Sequence, residues 1–228
     1  MSFLGGLKEM SKSLKNNKVY LIVLVATMAA MAIALEKIGS LKVTPSIKIT
    51  FYAVPLMVVG MLHGPKLGAL AGLVSGIVIQ LTSEYGINLS SIFFGLAPVV
   101  WGFVSGLIFK LVGKLSMFQE GDDFRSNGYP RWNSVAKWKD NKRHKSYKTK
   151  VLLYFLAVFC ASVAANLSNT FAMFMDSLFI KDSYYTGMMI LMDWPARLLT
   201  MCVSMIPYTI IVFVVCDRVK AFLEKDNN

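Results

Sequence analysis

Residues 110–150 read KLVGKLSMFQEGDDFRSNGYPRWNSVAKWKDNKRHKSYKTK and hold eleven of the chain's 24 Lys and Arg residues. On either side the sequence turns apolar, over residues 90–112 before this stretch and 151–175 after it. A basic segment between two runs, each long enough to cross a hydrocarbon core of about 30 Å, reads as a loop kept on the cytoplasmic side of a membrane. Working outward, four more apolar runs occupy about 19–38, 49–62, 67–82 and 194–216. If all six cross, nineteen basic residues fall on the side of the 110–150 loop. Five fall on the other: Lys37, Lys42, Lys48, Lys181 and Arg197. The expectation is an all-α membrane protein, six transmembrane helices in a compact bundle, with both termini cytoplasmic. It forms one integral domain over 1–228, multi-pass in the cell membrane, with a basic cytoplasmic insertion at about 115–150.

Composition agrees. With 55% hydrophobic residues, 16% charged residues and a mean hydropathy of +0.55, the chain carries too much apolar surface for an ordinary soluble domain. The runs are too long and too uniformly apolar for barrel strands, so helices must satisfy the backbone in lipid. The net charge of +11 lies where the positive-inside rule places it, so no nucleic-acid partner is needed to explain it. Cys160, Cys202 and Cys216 all fall inside apolar runs without metal-ligand spacing and read as small hydrophobes. The first run is longer than a signal-peptide core of about 7–15 residues, and it reads as a retained helix.

The runs at 49–62 and 67–82 are short and paired through Leu62-His63-Gly64-Pro65-Lys66. Gly-Pro ends one helix and starts the next. Length alone leaves open whether the pair crosses twice or dips and returns, and the orientation is the same either way. The outer connection near 176–193 carries apolar residues 188–192 and reads as a lid or as an interfacial turn. The second half of the basic loop, with Trp138 and Tyr147 among its cations, suits anionic headgroups of membrane lipids.

Small residues recur at four-residue spacing as Ala26, Ala30 and Ala34, as Gly68, Gly72 and Gly76, and as Gly102 and Gly106. Such stripes let helices approach closely in lipid, where packing rather than hydrophobic drive holds them together. The glycines are expected to pack inside the protein; the alanines serve equally for a partner. Polar residues of the spans gather toward the outer half, and an Arg inside an apolar zone normally faces a partner or a watery cavity. Lys48, Asn169, Thr170, Trp194 and Arg197 therefore outline an outward-facing pocket. Its cations, amide and indole suit a flat heteroaromatic ligand bearing carboxylates. Enzyme readings fail: His63 and His144 have no ligand spacing for a metal, there is no nucleophile motif, and Gly60–Lys66 lacks phosphate-loop spacing.

Pro45-Ser-Ile-Lys48-Ile-Thr-Phe-Tyr-Ala-Val-Pro55, with Gly60-Met-Leu-His-Gly64-Pro65-Lys-Leu-Gly68-Ala-Leu-Ala-Gly72, resembles the second and third helices of S components of energy-coupling factor (ECF) vitamin transporters. The folate-type branch is the nearest. The resemblance covers about 19–112 and 151–217. It implies a non-enzymatic subunit that captures a vitamin, most simply folate, from outside, with no bound cofactor. It assigns substrate contacts to Lys48, Asn169, Thr170 and Arg197. It assigns Ala26, Ala30 and Ala34 to docking on a transmembrane coupling subunit, with two ATPase subunits supplying the work. Gly76 stands where the family often carries an Asp, and the long basic insertion is unusual for it. Riboflavin or another vitamin is the alternative ligand. A stand-alone membrane enzyme or assembly factor, working through the basic loop, is the alternative class.

Overall fold

The computed structural model describes residues 18–42, 48–83, 91–113, 142–179 and 187–225. Six helices account for the six apolar runs: α1 (Lys18–Ile38), α2 (Ala53–His63), α3 (Pro65–Leu81), α4 (Ser91–Val112), α5 (Lys142–Phe179) and α6 (Gly187–Lys225). α4 is interrupted by one turn residue, Gly95. Four of the helices contain stretches long and apolar enough to span a membrane: Val19–Ile38, Ser91–Val112, Thr149–Phe179 and Trp194–Val219. Their exposed side chains include Ile22, Val23, Phe103, Leu111, Phe155, Phe171, Val203 and Ile210. An outward-facing apolar surface of this extent is the reverse of a soluble protein and fits lipid as the solvent.

α2 and α3 are the short members. At 1.5 Å per residue, the 11 residues of α2 extend only about 16 Å, roughly half a hydrocarbon core. The chain reaches α2 through non-helical backbone instead. A small antiparallel ladder precedes it, β1 (Leu41–Lys42) on β2 (Lys48–Ile49), pairing Leu41 with Ile49 and Lys42 with Lys48. This hairpin was not foreseen from the helical pattern. α2 is apolar on every face, and Ala53 to Met61 are all buried, as a helix without a polar stripe must be. It lies at the centre of the bundle, packed on α1, α3, α4 and α6.

The turn between α2 and α3 is Gly64, whose φ of 102° excludes most side chains, and Pro65 opens α3. This is the helix stop and start expected from Gly-Pro. α3 and α4 form the most extensive helix pair, and the glycines explain it. A Cβ on Gly68 would stand 2.4 Å from the Gly102 carbonyl oxygen, one on Gly72 2.3 Å from that of Pro98, and one on Gly76 2.4 Å from that of Gly95. Gly106 approaches the Gly60 backbone in the same way. The two helices therefore touch backbone to backbone, and the glycine stripes pack within the chain. At the C-terminal end of α3 the Lys37 ammonium donates to the Thr82 carbonyl at 2.5 Å, capping the helix with a cation where its dipole is negative.

On α1 the two alanine sets divide. Ala29 and Ala32 are buried against the bundle, whereas Ala26, Ala30 and Ala34 are exposed on the opposite side. Residues 188–192, expected as a lid or interfacial turn, are helical and continuous with α6. The basic stretch over 114–141 and residues 84–90 and 180–186 lie outside the described residues.

Candidate functional site

The α5 and α6 helices meet along a seam of polar and sulfur-bearing side chains. Asn166, Asn169, Thr170 and Met173 recur at three- and four-residue spacing on α5, so they share a face. Arg197 of α6 is 9% exposed, and its Nη2 donates to Met173 Sδ at 2.6 Å. One rung deeper, the Asn166 amide donates to Met201 Sδ at 3.8 Å. Thr170 returns its hydroxyl to the Asn166 carbonyl at 2.9 Å, so its donor is used within the helix and its lone pairs remain as acceptors. The structure thus brings Arg197 onto the α5 turn that follows Asn169 and Thr170. It does not bury Trp194, which is 45% exposed one turn before Arg197. Lys48 lies on β2, two residues before Thr50.

A second constellation was not read from the sequence. Tyr208 of α6 lies eleven residues after Arg197, close to three full turns, and so projects from the same face about 16 Å deeper. Its hydroxyl donates to the carbonyl of Thr50, in the non-helical chain that leads into α2. Around this contact Phe51 and Trp101 each meet the Tyr208 ring edge to face, both with centroids at 5.8 Å. The Trp101 indole lies near the Tyr52 hydroxyl. Glu36, from the last turn of α1, brings its carboxylate within electrostatic reach of both Tyr52 and Tyr208, with one oxygen shielded from solvent. Four elements thus converge: α1, the lead into α2, α4 and α6.

Non-helical backbone at membrane depth is tolerated where it is buried in protein or lines a cavity, and here it carries the aromatic cluster. The physical signal was present in the sequence. Glu36 is the sole Asp or Glu within the six apolar runs, and an acid so placed is by default a functional group. A carboxylate among π-faces is complementary to a cation, because ring quadrupoles and the negative charge act in the same sense. Replacing Tyr208 with Phe leaves the buried Thr50 carbonyl without its donor. The expected cost is about 1–3 kcal/mol, read as a fall in the unfolding temperature of the detergent-solubilised protein with its secondary structure intact. Among the described residues no cluster of His, Cys, Asp and Glu could hold a metal ion.

A search of curated proteins finds no match. Residues 22–215 match the family model described as thiamine transporter protein (Thia_YuaJ), a span that runs from α1 to the Tyr208 turn and beyond and takes in both constellations, and the chain belongs to that family of vitamin-binding S components of ECF transporters.

Proposed function

We propose that this chain is the substrate-capturing subunit of an ECF-type importer and that its ligand is thiamine. The observation that carries the ligand is the partly buried Glu36 carboxylate beside Tyr52 and Tyr208, with Trp101 packed edge to face on Tyr208. Thiamine bears a permanent cationic thiazolium, which gains from this environment through both charge and cation–π attraction. Folate, which the resemblance implies, is an anion and gains nothing there. Family membership also favours thiamine over folate. In this reading the thiazolium sits at the Glu36 cluster. Lys48, Asn169, Thr170, Trp194 and Arg197 form the outer wall, where Asn169 and Thr170 read the edge of the aminopyrimidine.

Both termini and the 110–150 loop are cytoplasmic in this proposal, which puts the Glu36 end of α1 and the start of α6 outside. The chain is an importer subunit and no enzyme. The test is purification of the full-length protein in mild detergent, with identification of the bound small molecule by mass and titration of the emptied protein with thiamine. Tryptophan emission is a suitable readout because Trp101 belongs to the cluster. Thiamine should co-purify and bind tightly; folate or riboflavin bound in its place overturns the ligand assignment.

The outer wall is tested separately. Arg197→Ala should weaken thiamine by only about tenfold, through lost order in the α5–α6 seam, because a cation adjacent to a cationic ligand contributes no attraction. Unaltered affinity removes Arg197 from the site.

The exposed Ala26, Ala30 and Ala34 face supports docking on a coupling subunit, with two ATPases behind it, because small side chains there permit close helix approach without disturbing the buried side of α1. Ala30→Leu is expected to leave thiamine binding of the isolated subunit unchanged while abolishing uptake by the assembled transporter. Uptake at the normal rate would place the docking surface elsewhere.

A further inference from the structure

α2 packs on both α1 and α6, and where α1 and α6 diverge, toward the end of the bundle that carries the termini, they leave an open groove of about 390 Å³ with α2 as its floor. α1 contributes Leu24 and Met28 as an apolar wall. Tyr20 stands at the mouth, edge-on to His63 of α2 with ring centroids 6.3 Å apart. On the other wall stands Arg218, exposed in the last part of the α6 span. The groove is therefore apolar along the bundle and polar and cationic only at its mouth, where α3 also begins with exposed Lys66. It is open on one side and lies at the opposite end of α1 from Glu36.

We infer that this groove is a binding site for an anionic phospholipid, with an acyl chain laid between α1 and α6 on α2 and the headgroup phosphate held by Arg218 beside the Tyr20 hydroxyl. Three features select this occupant. The apolar length faces bilayer, so a chain that fills it leaves no void against α2. The Arg218 guanidinium can pair with a phosphate by two parallel N–H donors, a geometry that favours guanidinium over ammonium. The sequence concentrates nineteen of 24 basic residues on this side of the bundle, a field that raises the local concentration of anionic headgroups. The small alanines at 26, 30 and 34 lie on another face of α1, so a lipid here and a docked partner there do not compete for the same side chains.

The experiment places the full-length protein in nanodiscs of phosphatidylcholine doped with phosphatidylglycerol and counts the lipids that stay bound by native mass spectrometry. The wild type should retain phosphatidylglycerol with about fivefold enrichment over its share of the bilayer, the factor expected for one basic residue at an anionic surface. Arg218→Glu should reduce that enrichment to about the bulk ratio with thiamine binding unaffected. Leu24→Trp, which fills the groove from its wall, should reduce retention of both lipids. Equal retention of the two lipids by the wild type, or enrichment that persists in Arg218→Glu, overturns the inference. So does a second protein chain that co-purifies with the wild type but not with Leu24→Trp, since it would claim the groove for a polypeptide.

Discussion

Glu36→Gln lowers thiamine affinity on the order of 100-fold or more, with no change in the fold. The substitution keeps the side chain's size and its hydrogen-bonding oxygen and removes only the charge. Glu36 is partly buried, and a bound ligand would desolvate it further; breaking a buried charge pair from one side costs about 3–5 kcal/mol, and every 1.4 kcal/mol is about tenfold in affinity. Titration calorimetry on purified wild type and variant reads the difference directly. A neutral thiamine analogue, lacking the ring charge, should bind the two proteins about equally. If Glu36→Gln binds thiamine as the wild type does, the carboxylate has no part in recognition and the site must be sought elsewhere in the bundle. A loss shared equally by the neutral analogue would assign Glu36 a purely structural role.

Gly68→Val is the most damaging substitution expected outside the site. Its Cβ alone would lie 2.4 Å from the Gly102 carbonyl oxygen and 2.7 Å from the Gly60 Cα, and both neighbours are backbone. A flexible side chain could rotate away from such an intrusion; a helix backbone has to translate. Overpacking of a well-filled interior costs about 1–3 kcal/mol where side chains can adjust. Here, with α2, α3 and α4 all touching at that point, the cost should exceed that range and abolish a monodisperse peak in size-exclusion chromatography. Leu70→Val, two residues along α3 on its exposed side, should elute as the wild type. A well-behaved Gly68→Val protein would show that α3 and α4 are not in backbone contact.

Much of this architecture is legible in the chain because two strong periodicities coincide with it. Lengths of apolar sequence mark the long helices, and the four-residue glycine spacing marks the α3–α4 contact, since neither signal needs knowledge of the neighbours. Gly64-Pro65 is equally local and appears as the α2–α3 turn. What eluded the sequence is non-local. α2 has an apolar pattern indistinguishable from that of a peripheral span, yet it is the most enclosed helix, and only its shortness hints that something non-helical must accompany it.

The site shows the same division. Arg197 stands out by its charge, and it is indeed buried against α5. Weight given to cations in the outer half drew attention away from Glu36, a single acid at the end of α1. Its neighbours come from residues 52 and 208, with Trp101 packed on Tyr208, and no spacing rule connects positions so distant. Lys48 and Arg197 suggest an anionic ligand, whereas membership of a thiamine transporter family favours a cation over folate.

Helices that meet through interlocking side chains can slip past one another by exchanging rotamers, which is how shear motions proceed in packed proteins. α3 and α4 have little such slack, because at their glycines the two backbones meet directly. Whatever rearrangement admits or frees a ligand is expected to spare this pair and fall on α6, which carries Pro195 and Pro207 inside it, and on the hairpin between α1 and α2. The glycine-matched pair is the keel of the molecule: it can be carried or turned as one piece, but it cannot be opened.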